Sequence, residues 1–271
     1  MIQLPKGQFY GETNFKRNVN SLTLTDTVYI HDFVDWHYHE TPYFTFLLEG
    51  GLIEGYKKDR KNFTAGNILF HNWDECHYNH KPTKTARGFH LEIEPEFLKN
   101  YKVSLLNRQG NHTLQNPLLT ILFYRLLTES KSKDPLSEMV IESSVLEIVS
   151  VLNNETVLDE KHIPRWVNQV KEILHENDSA ALNLKEIANI LTIHPVHLSR
   201  SFKKYFHCTL GEYIRRIKIE KAALGVLNSD QSLTAIAHEC GFADQSHFIK
   251  MFKNYLRMNP SLFKKIQKAK C

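Results

Sequence analysis

A helical pattern written twice constrains this chain more than any other feature. The first copy, residues 184–205, reads LKEIANILTIHPVHLSRSFKKY, and the second, residues 233–255, reads LTAIAHECGFADQSHFIKMFKNY. Ile187-Ala188 recurs as Ile236-Ala237, 49 residues on, and Phe202-Lys203 recurs as Phe252-Lys253, 50 residues on, so the turn of the second copy holds one extra residue. A repeat of this kind sets the architecture and is read before any single motif.

Each copy carries the same physical logic. Leu184, Ile187, Ala188 and Leu191 fall at helical spacing. Ala188 is small where a second helix must cross closely. After a short turn, Leu198 and Phe202 stand four apart on the buried side of a second helix, and Phe248 and Phe252 do the same in the second copy. The opposite face carries Val196, Ser199, Arg200, Lys203 and Lys204 in one copy and Gln245, Ser246, His247, Lys250 and Lys253 in the other. A short helix, a turn and a helix with an apolar back and a polar, basic front describe a helix-turn-helix, whose second helix enters the major groove of DNA.

These residues resemble the DNA-binding domain of AraC/XylS-type transcription regulators. That family's second motif appears as Gly241, Phe242, Asp244, Gln245, Ser246, Phe248, Phe252 and Lys253, followed by Pro260; its first appears as Ile187, Ala188, Leu198, Ser199, Arg200, Phe202, Lys203 and Lys204. Three positions depart from the pattern. His207 and Arg257 stand where a glycine commonly closes each second helix, and His194 stands where a serine commonly opens the first. Glycine suits a left-handed C-terminal cap and serine a strong N-cap, so the departures bear on stability before function. The resemblance implies an α+β protein: a cupin-like β-barrel with two following helices, then an all-α domain of two helix-turn-helix units joined by a linker helix.

The charge distribution agrees. From residue 165 onward there are 12 Lys and 5 Arg against 3 Asp and 6 Glu, whereas the preceding part carries 17 basic and 21 acidic groups. A basic C-terminal part on an acidic N-terminal part points to a polyanion partner for one domain. Four scattered cysteines, with no C-x-x-C, are expected to be free thiols in a reducing cytoplasm. No apolar run approaches the roughly 18 residues of a membrane helix, and the first residues lack a signal-peptide pattern.

Residues 1–20 read as a mobile polar arm. Residues 21–93 read as strands in a small antiparallel barrel, with Tyr43-Phe44-Thr45-Phe46-Leu47-Leu48 as one strand ended by a turn at Glu49-Gly50-Gly51. The order W-H-x-H, strand, E-G, A-G-N-I-L-F resembles the cupin-type sensor barrel of the same family. His37 and His39, two apart, face one side of a strand. Metal-binding cupins add a Glu four or five residues later and a His after the second glycine motif; those positions hold Tyr43, Phe44 and Leu69, so no metal and no cofactor is expected, although His77 or His71 can substitute. With aromatics nearby (Tyr38, Phe46, Tyr56, Trp73), Trp36, His37, His39, Tyr43 and His77 are the candidate contacts of a small-molecule effector. An ordinary packed core accounts for the same residues.

Pro117 suits the first turn of a helix whose stripe is Leu118, Leu119, Leu122, Phe123, Leu126 and Leu127. A second helix over 136–152 has two apolar faces: Leu136, Met139, Val140, Leu146 and Val149, and Ile141, Val145, Ile148 and Leu152. One serves the barrel, and the other is a candidate homodimer surface. The domains are then 1–152 for effector binding and dimerisation, 153–164 as linker and 165–271 for DNA binding. The function expected is sequence-specific DNA-binding transcription regulation under effector control, non-enzymatic, cytoplasmic and nucleoid-associated. Double-stranded DNA is the partner, RNA polymerase a further candidate, and no membrane is involved. Arg200 suits a bidentate contact with guanine and Val196 a thymine methyl, while Lys203, Lys204 and Lys253 suit phosphates. The competing readings are a cupin metalloenzyme, or a redox or metal sensor built on Cys76 and His77, each fused to a DNA-binding domain.

Overall fold

The computed structural model describes residues 2–57, 59–72, 75–105, 112–156, 164–175 and 183–268. The chain divides into two compact units, Met1–Asn153 with Lys265–Cys271, and Asn154–Lys264. Most of the expected linker, 157–163, and Trp73 lie outside the described residues.

The first unit is built on strands β1 (Ile2–Leu4), β2 (Glu12–Val19), β3 (Leu22–Val28), β4 (Phe33–His39), β5 (Tyr43–Gly55), β6 (Arg60–Thr64), β7 (Ile68–His71), β8 (His77–His80), β9 (Ala86–Ile93) and β10 (His112–Leu114). Strand β5 belongs to two half-sheets. Its first half pairs with β9 and β7, and its second with β6 and β8. One half-sheet runs β1-β4-β8-β5-β6 and the other β2-β3-β9-β5-β7-β10. The result is a curled half-barrel, in keeping with the cupin-like barrel expected.

The expected turn at Glu49-Gly50-Gly51 is instead a bend inside β5. The register shifts between Leu47 and Glu49, Gly50 has φ +76, and a Cβ there would lie 2.0 Å from the Thr85 carbonyl oxygen. Only glycine allows the strand to cross from one half-sheet to the other at this point.

The mobile arm is also corrected. Residues 12–19 form β2 against β3, and β1 lies parallel to β4 with Ile2 opposite His37 and Leu4 opposite His39. Between them, the Gly7 N–H donates to buried Glu92 at 2.6 Å, and the Phe9 ring stacks on His90 with centroids 3.5 Å apart. The segment's polar composition concealed these few anchoring contacts.

Helices α1 (Pro95–Asn100), α2 (Pro117–Ser130) and α3 (Ser137–Thr156) follow. Asn116 caps α2, accepting from the Leu118 N–H, and Pro117 takes its first position. Apolar almost all round, α2 is a core helix: Phe123 and Tyr124 pack against Phe44 and Phe46 with centroids 4.7 to 5.8 Å apart. Along α3, Ile141, Val145, Ile148 and Leu152 are buried, whereas Leu136, Met139 and Val140 are exposed. Val149, grouped from the sequence with Leu136, Met139 and Val140, is instead buried like Ile141 and Val145.

The second unit holds α4 (Arg165–His175), α5 (Leu184–Ile190), α6 (Pro195–Phe206), α7 (Leu210–Asn228), α8 (Leu233–Glu239), α9 (Gln245–Leu256) and the start of α10 (Pro260–Lys268). Val170, Leu174, Ile187, Ala188, Leu198, Phe202 and Tyr213 share one core. A second core packs the rings of Phe242, Phe248, Phe252 and Phe263 in sequence, tilted or edge to face, with centroids 5.3 to 5.5 Å apart. Helix α7 touches α4, α6, α8 and α9, and so joins the two cores.

Candidate nucleic-acid interface and barrel site

The two repeats agree down to single hydrogen bonds. In the first turn, the Ile193 N–H donates to the Ala188 carbonyl at 2.9 Å; in the second, the Phe242 N–H donates to the Ala237 carbonyl at 2.9 Å. The residue before each donor has positive φ, 55 at Thr192 and 70 at Gly241. The capping residues His194 and Asp244 are 50 apart while the turns are 49 apart, so the extra residue is Ala243.

Caps fix where each second helix begins. Asp244 accepts from the His247 N–H at 2.7 Å. His194, expected to cap weakly, does accept from the Val196 N–H, through Nδ1 at 3.3 Å, with Pro195 opening the helix. At the other ends, His207 and Arg257 adopt the left-handed conformation that glycine favours, with φ 53 and 63, and each N–H closes on the carbonyl four residues back. The helices therefore end where the glycine pattern predicts, at a cost in backbone strain.

On α6, Leu198 and Phe202 are buried, and Val196, Ser199, Arg200, Lys203 and Lys204 are exposed. On α9, Phe248 and Phe252 are buried, and Gln245, Ser246, His247, Lys250 and Lys253 are exposed. Gln245 accepts from the Thr234 hydroxyl at 2.8 Å, and the edge of the His247 ring meets Phe242 with centroids 5.6 Å apart. All ten sequence-selected residues thus lie on solvent-facing helix surfaces, each backed by an aromatic core.

Inside the curled sheet, register gathers residues far apart in sequence. His37 on β4 stands opposite His77 on β8, Tyr43 on β5 opposite His71 on β7, and Thr45 opposite His90 on β9. His37, His39, His71, His77 and His90 are all buried. A cavity of about 30 Å3 is lined by His37, His39, Tyr43, Glu54, His90 and Phe9, among others. Of the sequence-selected pocket residues, His37, His39 and Tyr43 line it. His77 packs against His37 with ring centroids 4.3 Å apart. Trp36 faces the other way and packs on Tyr78.

Four of these imidazoles, His37, His39, His77 and His90, are pushed toward the neutral form. Burial pushes His37 down, His39 well down, and His77 and His90 to about 3; around His39 the neighbouring imidazoles add to the effect. His37 Nδ1 donates to the Asp35 carbonyl at 2.8 Å and His77 Nδ1 to the Glu75 carbonyl at 3.1 Å, which leaves each Nε2 with a lone pair. Glu54 has both carboxylate oxygens on His71 Nε2, at 3.1 and 3.0 Å. Burial opposes the Glu54 charge, but His71, His77 and the Tyr56 hydroxyl outweigh it and hold the carboxyl at about 2. One ligand atom from each of His37, His39 and His77 lies within 4.8 Å of the other two, and the same holds for Glu54, His71 and His77. The sequence search missed Glu54, 17 residues beyond His37, because its position depends on the bend of β5.

Fold and surfaces define a tandem helix-turn-helix protein carrying a curled β-sheet unit. Residues 187–266 match the family model described as "Helix-turn-helix domain". The chain belongs to the AraC/XylS-type family. It is 35% identical over 83 residues to the probable transcription factor PqrA of Proteus vulgaris, covering 31% of this chain and 68% of that one. The Msm operon regulatory protein of Streptococcus mutans is 33% identical over 100 residues, 37% of this chain, and the match spans only 36% of that relative. A longer match, 27% identical over 200 residues, covers 73% of this chain and 68% of the transcriptional activator RhaS of Escherichia fergusonii.

Proposed function

We propose that this chain is a sequence-specific DNA-binding transcription regulator that reads two successive major-groove segments with α6 and α9, under the control of a ligand held in the β-sheet unit. The observation that carries the reading is the pair of exposed, polar and basic faces on two capped helices with the same turn geometry. Arg200 is the residue for a guanine, with Val196 and Ser199 beside it; Gln245, Ser246 and His247 read the second segment. Lys250 shares that second reading face, while Lys203, Lys204 and Lys253 hold phosphates and set the salt dependence. The names of the relatives, a transcriptional activator, an operon regulatory protein and a probable transcription factor, support a regulatory role. A cytoplasmic protein, dimeric through the Leu136–Met139–Val140 face, fits this reading, with RNA polymerase as a further partner.

Selection of bound sequences from random DNA tests the proposal. The full-length protein is expected to select a split motif with halves about one helical turn, roughly 34 Å, apart. Arg200→Ala is expected to cost about 1–3 kcal/mol and to relax one base pair of the motif, while Lys203→Ala weakens all sequences alike and flattens the salt dependence. Selection of no motif at any salt concentration sinks the reading.

A further inference from the structure

We propose that His37, His39 and His77 form a three-histidine site for a divalent first-row transition-metal ion, with the Glu54–His71 pair beside it. The cavity comes first. At about 30 Å3 it has room for roughly one or two waters, whereas pockets for organic ligands run to about 300 Å3 or more. Phe9, stacked on His90 and against His39 with centroids 5.0 Å apart, occupies part of the space. The space suits an ion better than a sugar-sized effector: His37 and His39 line it, and His77 packs against His37 at its edge.

The donor chemistry comes second. His37 and His77 each donate Nδ1–H to a backbone carbonyl, the outer contact that orients metal-bound imidazoles and fixes which nitrogen carries the lone pair. His39, 3% exposed, has an Nδ1 with no hydrogen-bond partner among the described residues. A buried imidazole nitrogen without a partner is costly unless something occupies it. The three rings are mutual neighbours, with centroids 4.3, 5.5 and 5.9 Å apart. Zinc–nitrogen bonds run to roughly 2.0–2.1 Å, and one nitrogen from each of the three rings already lies within 4.8 Å of the others, so small side-chain adjustments close the set around an ion. Imidazole nitrogens select zinc, nickel, copper or iron over calcium and magnesium.

The alternative triad, Glu54, His71 and His77, is the weaker set because Glu54 and His71 already bind each other through both oxygens. Their role is electrostatic: three neutral imidazoles leave a dication's charge uncompensated in a buried cavity, and the Glu54 carboxylate offsets part of it. The set also departs from the four-ligand pattern sought in the sequence, since Tyr43, Phe44 and Leu69 supply none of it.

In naming the ligand, this inference rests on the ligand-controlled reading above, but the two fail separately: metal uptake is read without DNA, and DNA selection without added metal. The test is titration of the chelator-stripped full-length protein with Co2+, followed by visible absorption, and then displacement by Zn2+. One equivalent is expected to bind at micromolar concentration with the spectrum of a nitrogen-ligated, low-coordinate ion. His39→Ala and His77→Gln should each weaken uptake roughly 100-fold or more, and His71→Asn or Glu54→Gln by only about tenfold, with far-ultraviolet circular dichroism confirming that each variant folds. No uptake by the wild-type protein overturns the proposal whatever the variants do. So does uptake that survives His39→Ala in a folded protein, which marks binding at other histidines. Loss on His71→Asn but not on His39→Ala assigns the metal to the other triad and also overturns it.

Discussion

At the scale of single residues, the chain tolerates strain where its family pattern has glycine. Thr192 is β-branched with φ 55, at the turn position where the second copy has Gly241. The left-handed region costs an L-residue about 1–2 kcal/mol, and a β-branched one is a true outlier there. Glycine returns part of that gain through its freedom in the unfolded chain. Thr192→Gly is therefore expected to stabilise the protein by about 0.5–1 kcal/mol, read as a higher urea midpoint with unchanged slope. Glu92 offers a second residue-scale test. Burial raises its carboxyl to about 7, against the hydrogen bonds from Thr41 and the Gly7 N–H, which lower it. The folded form holds a proton that the unfolded form releases near 4.5. This contribution to stability is full below about pH 4.5 and lost as pH rises through about 7. Glu92→Gln should remove that slope, at most roughly 3 kcal/mol across the window, measured by unfolding at pH 5 and pH 7.5.

At the scale of elements, β5 decides the first unit. Its change of partners at Gly50 brings Glu54 on one half-sheet against His71 on the other. A side chain at Gly50 would combine left-handed strain with a Cβ 2.0 Å from a backbone oxygen, which cannot rotate away. Gly50→Ala is expected to cost about 3 kcal/mol or more, visible as a lower unfolding midpoint. The helices were far more legible. Apolar spacing within the repeat locates α5, α6, α8 and α9, and Pro117 the start of α2, because those signals are local and helical hydrogen bonds close within four residues. The bend in β5 was misread as a turn because E-G-G is turn chemistry, and only the strands on either side show that the chain continues through it.

At the scale of the whole molecule, one apolar surface has no counterpart among the described residues. Leu136 is 64% exposed, Met139 70% and Val140 39%, while the opposite side of α3 is fully buried. A second copy of the chain is the expected occupant, and sedimentation at micromolar concentration should show a dimer that Met139→Asp converts to monomer without loss of helix content. A monomeric wild type at that concentration removes this surface from the proposal. The sequence by itself determined the tandem helix-turn-helix, its exposed faces and the presence of a histidine pair on one side of a strand, since each follows from periodicity and capping along the chain. Only the tertiary structure decided that His77 lies opposite His37, that Glu54 engages His71, and that the enclosure is ion-sized. Those facts depend on strand register between segments tens of residues apart, and register is fixed by which faces the sheet buries rather than by any local preference of the residues themselves.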